Sequence, residues 1–77
     1  MDKSLSERII EYLAENGGWV NGGEVERLSL ELGYKASNGS RRCREMVEEG
    51  ILLREERVGE HARSVWYRMN PLRFARI

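Results

Sequence analysis

Cysteine, histidine and proline each occur once in the 77 residues, as Cys43, His61 and Pro71. One cysteine and one histidine cannot make an intrachain disulfide or a structural zinc site. No apolar run approaches the ~20 residues that span a bilayer, which argues against membrane insertion. Asp2, Glu7 and Glu11 stand where a secretory leader would be apolar, so the expected location is cytoplasmic. Low-complexity tracts, internal repeats and linkers are missing too, so residues 1–77 read as one domain. At 34% charged and 40% hydrophobic, the composition is that of a globular domain and not a disordered tail. A domain of this size buries only about 60% of its unfolded surface. Without a covalent or metal staple it must use its apolar residues efficiently or share a surface with a partner.

Net charge is also absent: 13 basic residues balance 13 acidic ones. The balance hides an uneven layout. Residues 1–33 hold three cations against seven anions, and residues 34–77 hold ten cations against six anions. Lysine is scarce, with Lys3 and Lys35 facing eleven arginines. A guanidinium-rich half suits bidentate binding of phosphates and guanine edges. The plainer alternative is a solvated surface laced with ion pairs.

The pattern along the chain predicts an α+β, mostly helical domain. Ser4-Leu5-Ser6-Glu7 is a capping box. Leu5, Ile9 and Leu13 follow at helical spacing, and Asn16-Gly17-Gly18 ends that helix, giving about 5–16. Trp19-Val20 is too short for an independent strand but long enough for a bridge to a hairpin. Asn21 and Glu24 repeat the capping logic before Val25, Leu28 and Leu32, so a second helix covers about 22–32. A third helix, about 37–49, carries Cys43, Met46 and Val47 on one stripe. Gly39 lies one turn earlier, where it permits close helix–helix approach at the cost of about 1 kcal/mol in helix propensity.

After Gly50 the period changes from 3.6 to 2. Residues of about 51–69 read as a β-hairpin with its turn at Gly59–Arg63. Asn70-Pro71 can open one helical turn, and the tail 70–77 is apolar enough to dock. The expected core is Leu5, Ile9, Ile10, Leu13, Trp19, Val25, Leu28, Leu32, Cys43, Met46, Val47, Ile51, Leu53, Val65, Tyr67 and Met69.

From Leu32-Gly33-Tyr34-Lys35-Ala36-Ser37-Asn38-Gly39-Ser40-Arg41-Arg42-Cys43-Arg44-Glu45-Met46-Val47 to Glu48-Glu49-Gly50-Ile51-Leu52, the chain resembles the turn and recognition helix of winged helix-turn-helix DNA-binding domains. Ser64-Val65-Trp66-Tyr67-Arg68 is similar to the wing that follows. The resemblance covers residues 4–69 and is nearest to small prokaryotic, archaeal or phage regulators of the multiple-antibiotic-resistance-regulator type. Cys43 stands where that family commonly has leucine, Lys35 where it has a capping Ser or Thr, and Gly39 where it has an aliphatic residue.

The resemblance implies a three-helix bundle with a C-terminal wing that binds double-stranded DNA and regulates transcription. With Cys43, Met46 and Val47 turned inward, Ser37, Asn38, Arg41, Arg42 and Glu45 fall on the outer side, where a helix in the major groove reaches base edges. Ser37 and Ser40 suit phosphate oxygens near the helix N-terminus. Lys35 and Arg44 suit the DNA backbone. Arg57 and Arg63 flank the wing tip and suit phosphates or the minor groove, with His61 beside them.

Plainer roles stand beside these. Arg41, Arg42 and Arg44 have Glu45, Glu48 and Glu49 within helical reach as ion-pair partners. Trp66 and Tyr67 read as packing residues, Cys43 as a buried hydrophobe, and His61 as a solvated loop residue. Asn38-Gly39-Ser40 matches a glycosylation sequon by chance. No catalytic constellation and no cofactor motif is visible, so no enzyme activity is expected. The competing function is a protein–protein interaction module on the same fold, favoured by zero net charge. A homodimer through the C-terminal tail or the first helix is compatible with either.

Overall fold

A computed structural model describes residues 3–74. In chain order the elements are α1 (Leu5–Asn16), β1 (Val20–Asn21), α2 (Gly22–Glu31), α3 (Ala36–Glu48), β2 (Leu52–Val58), β3 (Arg63–Met69) and the single turn α4 (Pro71–Phe74). The protein is a small α+β domain, with helices packed on an antiparallel sheet of order β1-β3-β2. No helix among the described residues is long and apolar enough to cross a membrane.

Local chemistry sets the boundaries. The Ser4–Glu7 capping box forms in both directions at 3.2 Å. The Ser4 backbone N–H, then its hydroxyl, hold the Glu7 carboxyl below its ordinary pKa. Gly17 closes α1 in the left-handed region at φ 76°. Asn21 caps α2 by accepting from Gly23 N at 2.7 Å. Glu24 does not complete a second capping box; its Oε2 accepts from the Tyr12 hydroxyl at 2.9 Å and ties α2 to α1. Asn70 Oδ1 accepts from Leu72 N at 3.0 Å, which starts α4 as the Asn-Pro pair predicts.

Leu5, Ile9, Leu13, Val20, Val25, Cys43, Met46, Leu52 and Tyr67 are buried and form the core. Ile10, Leu28, Val47, Ile51, Val65 and Met69 pack against it partly buried, and three expected members belong to neither group. Leu32 is 37% exposed because α2 ends at Glu31 and Ser29 occupies its fully buried face. Leu53 is 37% exposed while Leu52 is buried: the strand starts one residue out of phase with the expected pattern, which turns every later side chain of β2 to the other face. Trp19 is only partly buried, and its neighbour Val20 enters the core instead. Leu72, expected to dock, is 75% exposed, and the rest of the tail from Ala75 lies outside the described residues.

The crossing of α2 and α3 depends on Gly39. A Cβ there would fall on Ser29 Oγ and come within 3.2 Å of Val25 O. Ser29 Oγ itself donates to Val25 O at 3.0 Å, so the one buried polar side chain among the described residues is satisfied within its own helix. Short strand β1 pairs with β3 through Val20↔Tyr67 and Asn21↔Trp66, which places the start of α2 against the hairpin. Gly22 lies there too, with β3 close enough that a Cβ would stand 3.2 Å from Val65 O.

Candidate nucleic-acid interface

α3 begins without a side-chain cap: Lys35 occupies the N-cap and makes no capping hydrogen bond. Gly39, Cys43 and Met46 face the core. At about 100° per residue, Arg41 then lies opposite that seam. Arg41 is exposed and makes no ion pair with any described residue. Lys35, Ser37, Arg44 and Glu45 are exposed as well.

The two flanks of the helix lead to different neighbours. Asn38 and Arg42 turn toward α1 and, with Ser4, Ser6 and Tyr34, line a recess of about 330 Å³. Arg42 Nη1 is held by Glu45 Oε1 at 2.8 Å, an i,i+3 pair of the kind the plainer reading of these arginines expects. On the other flank Ser40 Oγ donates to Glu26 Oε2 at 2.9 Å, which joins α3 to α2 and takes up the hydroxyl expected to meet a phosphate.

Beyond Ser40 opens a groove of about 560 Å³ between α3, the start of α2 and the hairpin. Three guanidiniums line it: Arg44 from α3, Arg54 from β2 and Arg63 from β3. Glu56 bridges the two strand arginines, 3.8 Å from Arg54 Nη2 and 3.3 Å from Arg63 Nη1. Arg63 remains 77% exposed despite that contact. Tyr67 forms part of the wall; burial pushes its phenol pKa up, against the pull of the nearby Arg54 and Arg44 charges.

The pleat separates two residues expected to act together at the hairpin tip. Arg57 is paired with Ser64, and Arg54 with the core residue Tyr67. Arg54 therefore faces the groove and Arg57 faces away from it. Arg57 instead lies over the Trp66 ring at 4.1 Å and donates from Nε to Glu55 Oε2 at 2.7 Å. His61 is exposed at the tip, between strands.

Arg54 and Asn21–Gly23 thus line the candidate groove, and none of them stood among the site residues expected from the sequence. The available signal was the Leu52-Leu53 doublet: choosing Leu52 as the inward residue puts Arg54 on the groove side. Cys43 is fully buried behind α3, and burial raises its thiol pKa to about 12, so it is a packing residue without thiolate character. A further hollow of about 400 Å³ lies away from the groove arginines, lined chiefly by apolar residues such as Ile10, Leu13 and Met69.

No family model, curated protein or solved structure matches this chain. The functional reading therefore rests on the residues themselves.

Proposed function

We propose that this protein is a winged-helix domain that binds double-stranded DNA and regulates transcription without catalysing a reaction. The supporting observation is the placement of four arginines. Arg41 makes no ion pair among the described residues at the crest of α3, and Arg44, Arg54 and Arg63 line the groove beside it. A helix of this diameter fits the major groove, and a guanidinium at its crest suits bidentate contact with guanine. In this reading α3 supplies base contacts through Arg41, Ser37 and Asn38. The hairpin acts as the wing, with Arg54 and Arg63 on phosphates or in the minor groove. Arg42, held by Glu45, contributes less than Arg41. Two copies joined through α1 or the tail would address half-sites about one helical turn apart.

Fluorescence anisotropy on duplex pools, followed by selection from a random duplex library, tests the reading. Arg41→Ala is expected to lose about 1–3 kcal/mol and relax sequence choice. Arg63→Ala is expected to weaken all sequences alike and reduce the salt slope by about one. Failure to bind any duplex at low salt overturns the proposal. Stoichiometry on the selected duplex, with sedimentation of the free protein, distinguishes one copy from two.

A further inference from the structure

The sheet has a second face, opposite the core; at its α1 end Arg68 also lines the hollow beside Ile10, Leu13 and Gly17. Register places Leu53 opposite Arg68, Glu55 opposite Trp66, and Arg57 opposite Ser64 on it. Trp19 precedes the core residue Val20 and extends this face past β1, with the Arg68 guanidinium 5.7 Å from its ring. Arg57 lies over Trp66, whose Nε1 donates to Ser64 Oγ at 3.0 Å. Trp19, Leu53 and Trp66 contribute nothing to the core cluster, yet they are large and partly exposed. Two tryptophans, a leucine and two arginines on one small surface have the composition of a protein-binding hot spot.

We infer that this outer sheet face docks an acidic, leucine-bearing peptide segment of a partner protein. Charge complementarity identifies the occupant. The face carries two guanidiniums and one carboxylate, Glu55, which is already held by Arg57. Arg68 makes no ion pair with any described residue, and its Nε is buried without a hydrogen-bond partner. A guanidinium lying over a ring keeps in-plane N–H groups free for carboxylate oxygens, while the half-buried indoles and the exposed Leu53 favour an aliphatic side chain. Single-stranded nucleic acid fits less well, because each indole already has a guanidinium over its ring, where a base would stack. A second copy of the chain also fits less well. In its acidic first helix, Glu11 is engaged by Lys3 and Arg8, and Glu7 by the Ser4 cap. The inference is independent of the DNA reading, since the groove arginines lie on the opposite face.

Trp19 and Trp66 are the only tryptophans, so indole emission reports on this face alone. The full chain is titrated with a capped peptide of Glu-Glu-Leu-Leu repeats, which when extended alternates carboxylate and leucine along each face. The comparison ligands are its Lys-Lys-Leu-Leu counterpart and oligothymidylate. A saturable emission change is expected with the acidic peptide only. Arg68→Gln and, separately, Arg57→Gln should weaken it about tenfold with unchanged circular dichroism. Arg63→Ala, on the groove side, should leave it unaltered. Four results overturn the inference: no change with the acidic peptide, an equal response to the basic one, tighter binding of oligothymidylate, or emission that depends on protein concentration alone, the mark of self-association.

Discussion

Where α2 crosses α3, the helices approach so closely that a single methyl group at Gly39 has no room; along β2, six of seven residues are exposed. The crossing is specified by exclusion of volume. The hairpin is specified by backbone pairing with β3 and by short-range ion pairs such as Arg57–Glu55. Surface ion pairs of that kind contribute only about 0–1 kcal/mol each. The contrast separates two jobs. The helical half secures the architecture, and β2 leaves all but Leu52 of its side chains exposed.

The largest test of this division lies at the start of β2. Leu52→Ala is expected to cost about 2–5 kcal/mol, and Leu53→Ala under about 1 kcal/mol, in urea unfolding. Equal losses would mean that the strand is not anchored at one end as described. Gly39→Ala should cost about 1–3 kcal/mol through overpacking at Ser29. Adding Ser29→Gly should recover part of that loss, and a fully additive double variant would show that the two positions do not touch.

The inward and outward turns of the chain were legible only in part. α1 could be read almost to the residue, because its capping box, its Leu5–Ile9–Leu13 stripe and its terminal glycine agree with one another. The bridge from Trp19-Val20 to the hairpin, the close approach at Gly39 and the turn at Asn70-Pro71 were likewise readable. The phase of β2 was not. Two adjacent leucines fit a period of 2 equally well in either register, and only the packing of Leu52 beneath α3 decides between them. That one ambiguity moved Arg54 into the candidate groove and left Arg57 on the opposite face. The engagements of Ser40 with Glu26 and of Tyr12 with Glu24 join residues 14 and 12 positions apart, which no local pattern reveals.

Two smaller effects sharpen the comparison. Lys35→Ser supplies the cap that α3 lacks and should raise stability by about 0.5–1 kcal/mol. The same change should weaken duplex binding by removing a cation beside the helix start. A rise in melting temperature with no loss of affinity would remove Lys35 from the interface. The smallest effect is alkaline. The Cys43 thiol goes from an ordinary 9.0 to about 12 on burial, so the unfolded chain releases its proton first. Stability from this group is intact well below pH 9 and declines as pH rises through 9 toward 12. The loss at pH 9 is about 0.4 kcal/mol, from the linkage relation. Burial of Tyr67 acts in the same direction. Urea midpoints against pH, compared with those of Cys43→Ala, should show a shallower alkaline slope in the variant.

At the helix-proximal end of the hairpin, Ile51 N donates to Met46 O at 2.9 Å, Asn70 N to Ile51 O at 3.0 Å and Asn70 Nδ2 to Gly50 O at 2.9 Å. These bonds clasp the ribbon at its root, while the far end is closed by Gly59 N donating to Ala62 O. Fraying must therefore run in one direction, as a zip opens from its free end. Among the alternate amides of β2 that pair with β3, exchange should slow from the tip toward Leu52, and Asn70→Ala, which removes only the Nδ2 bond to Gly50 O, should make that gradient shallower by loosening the root.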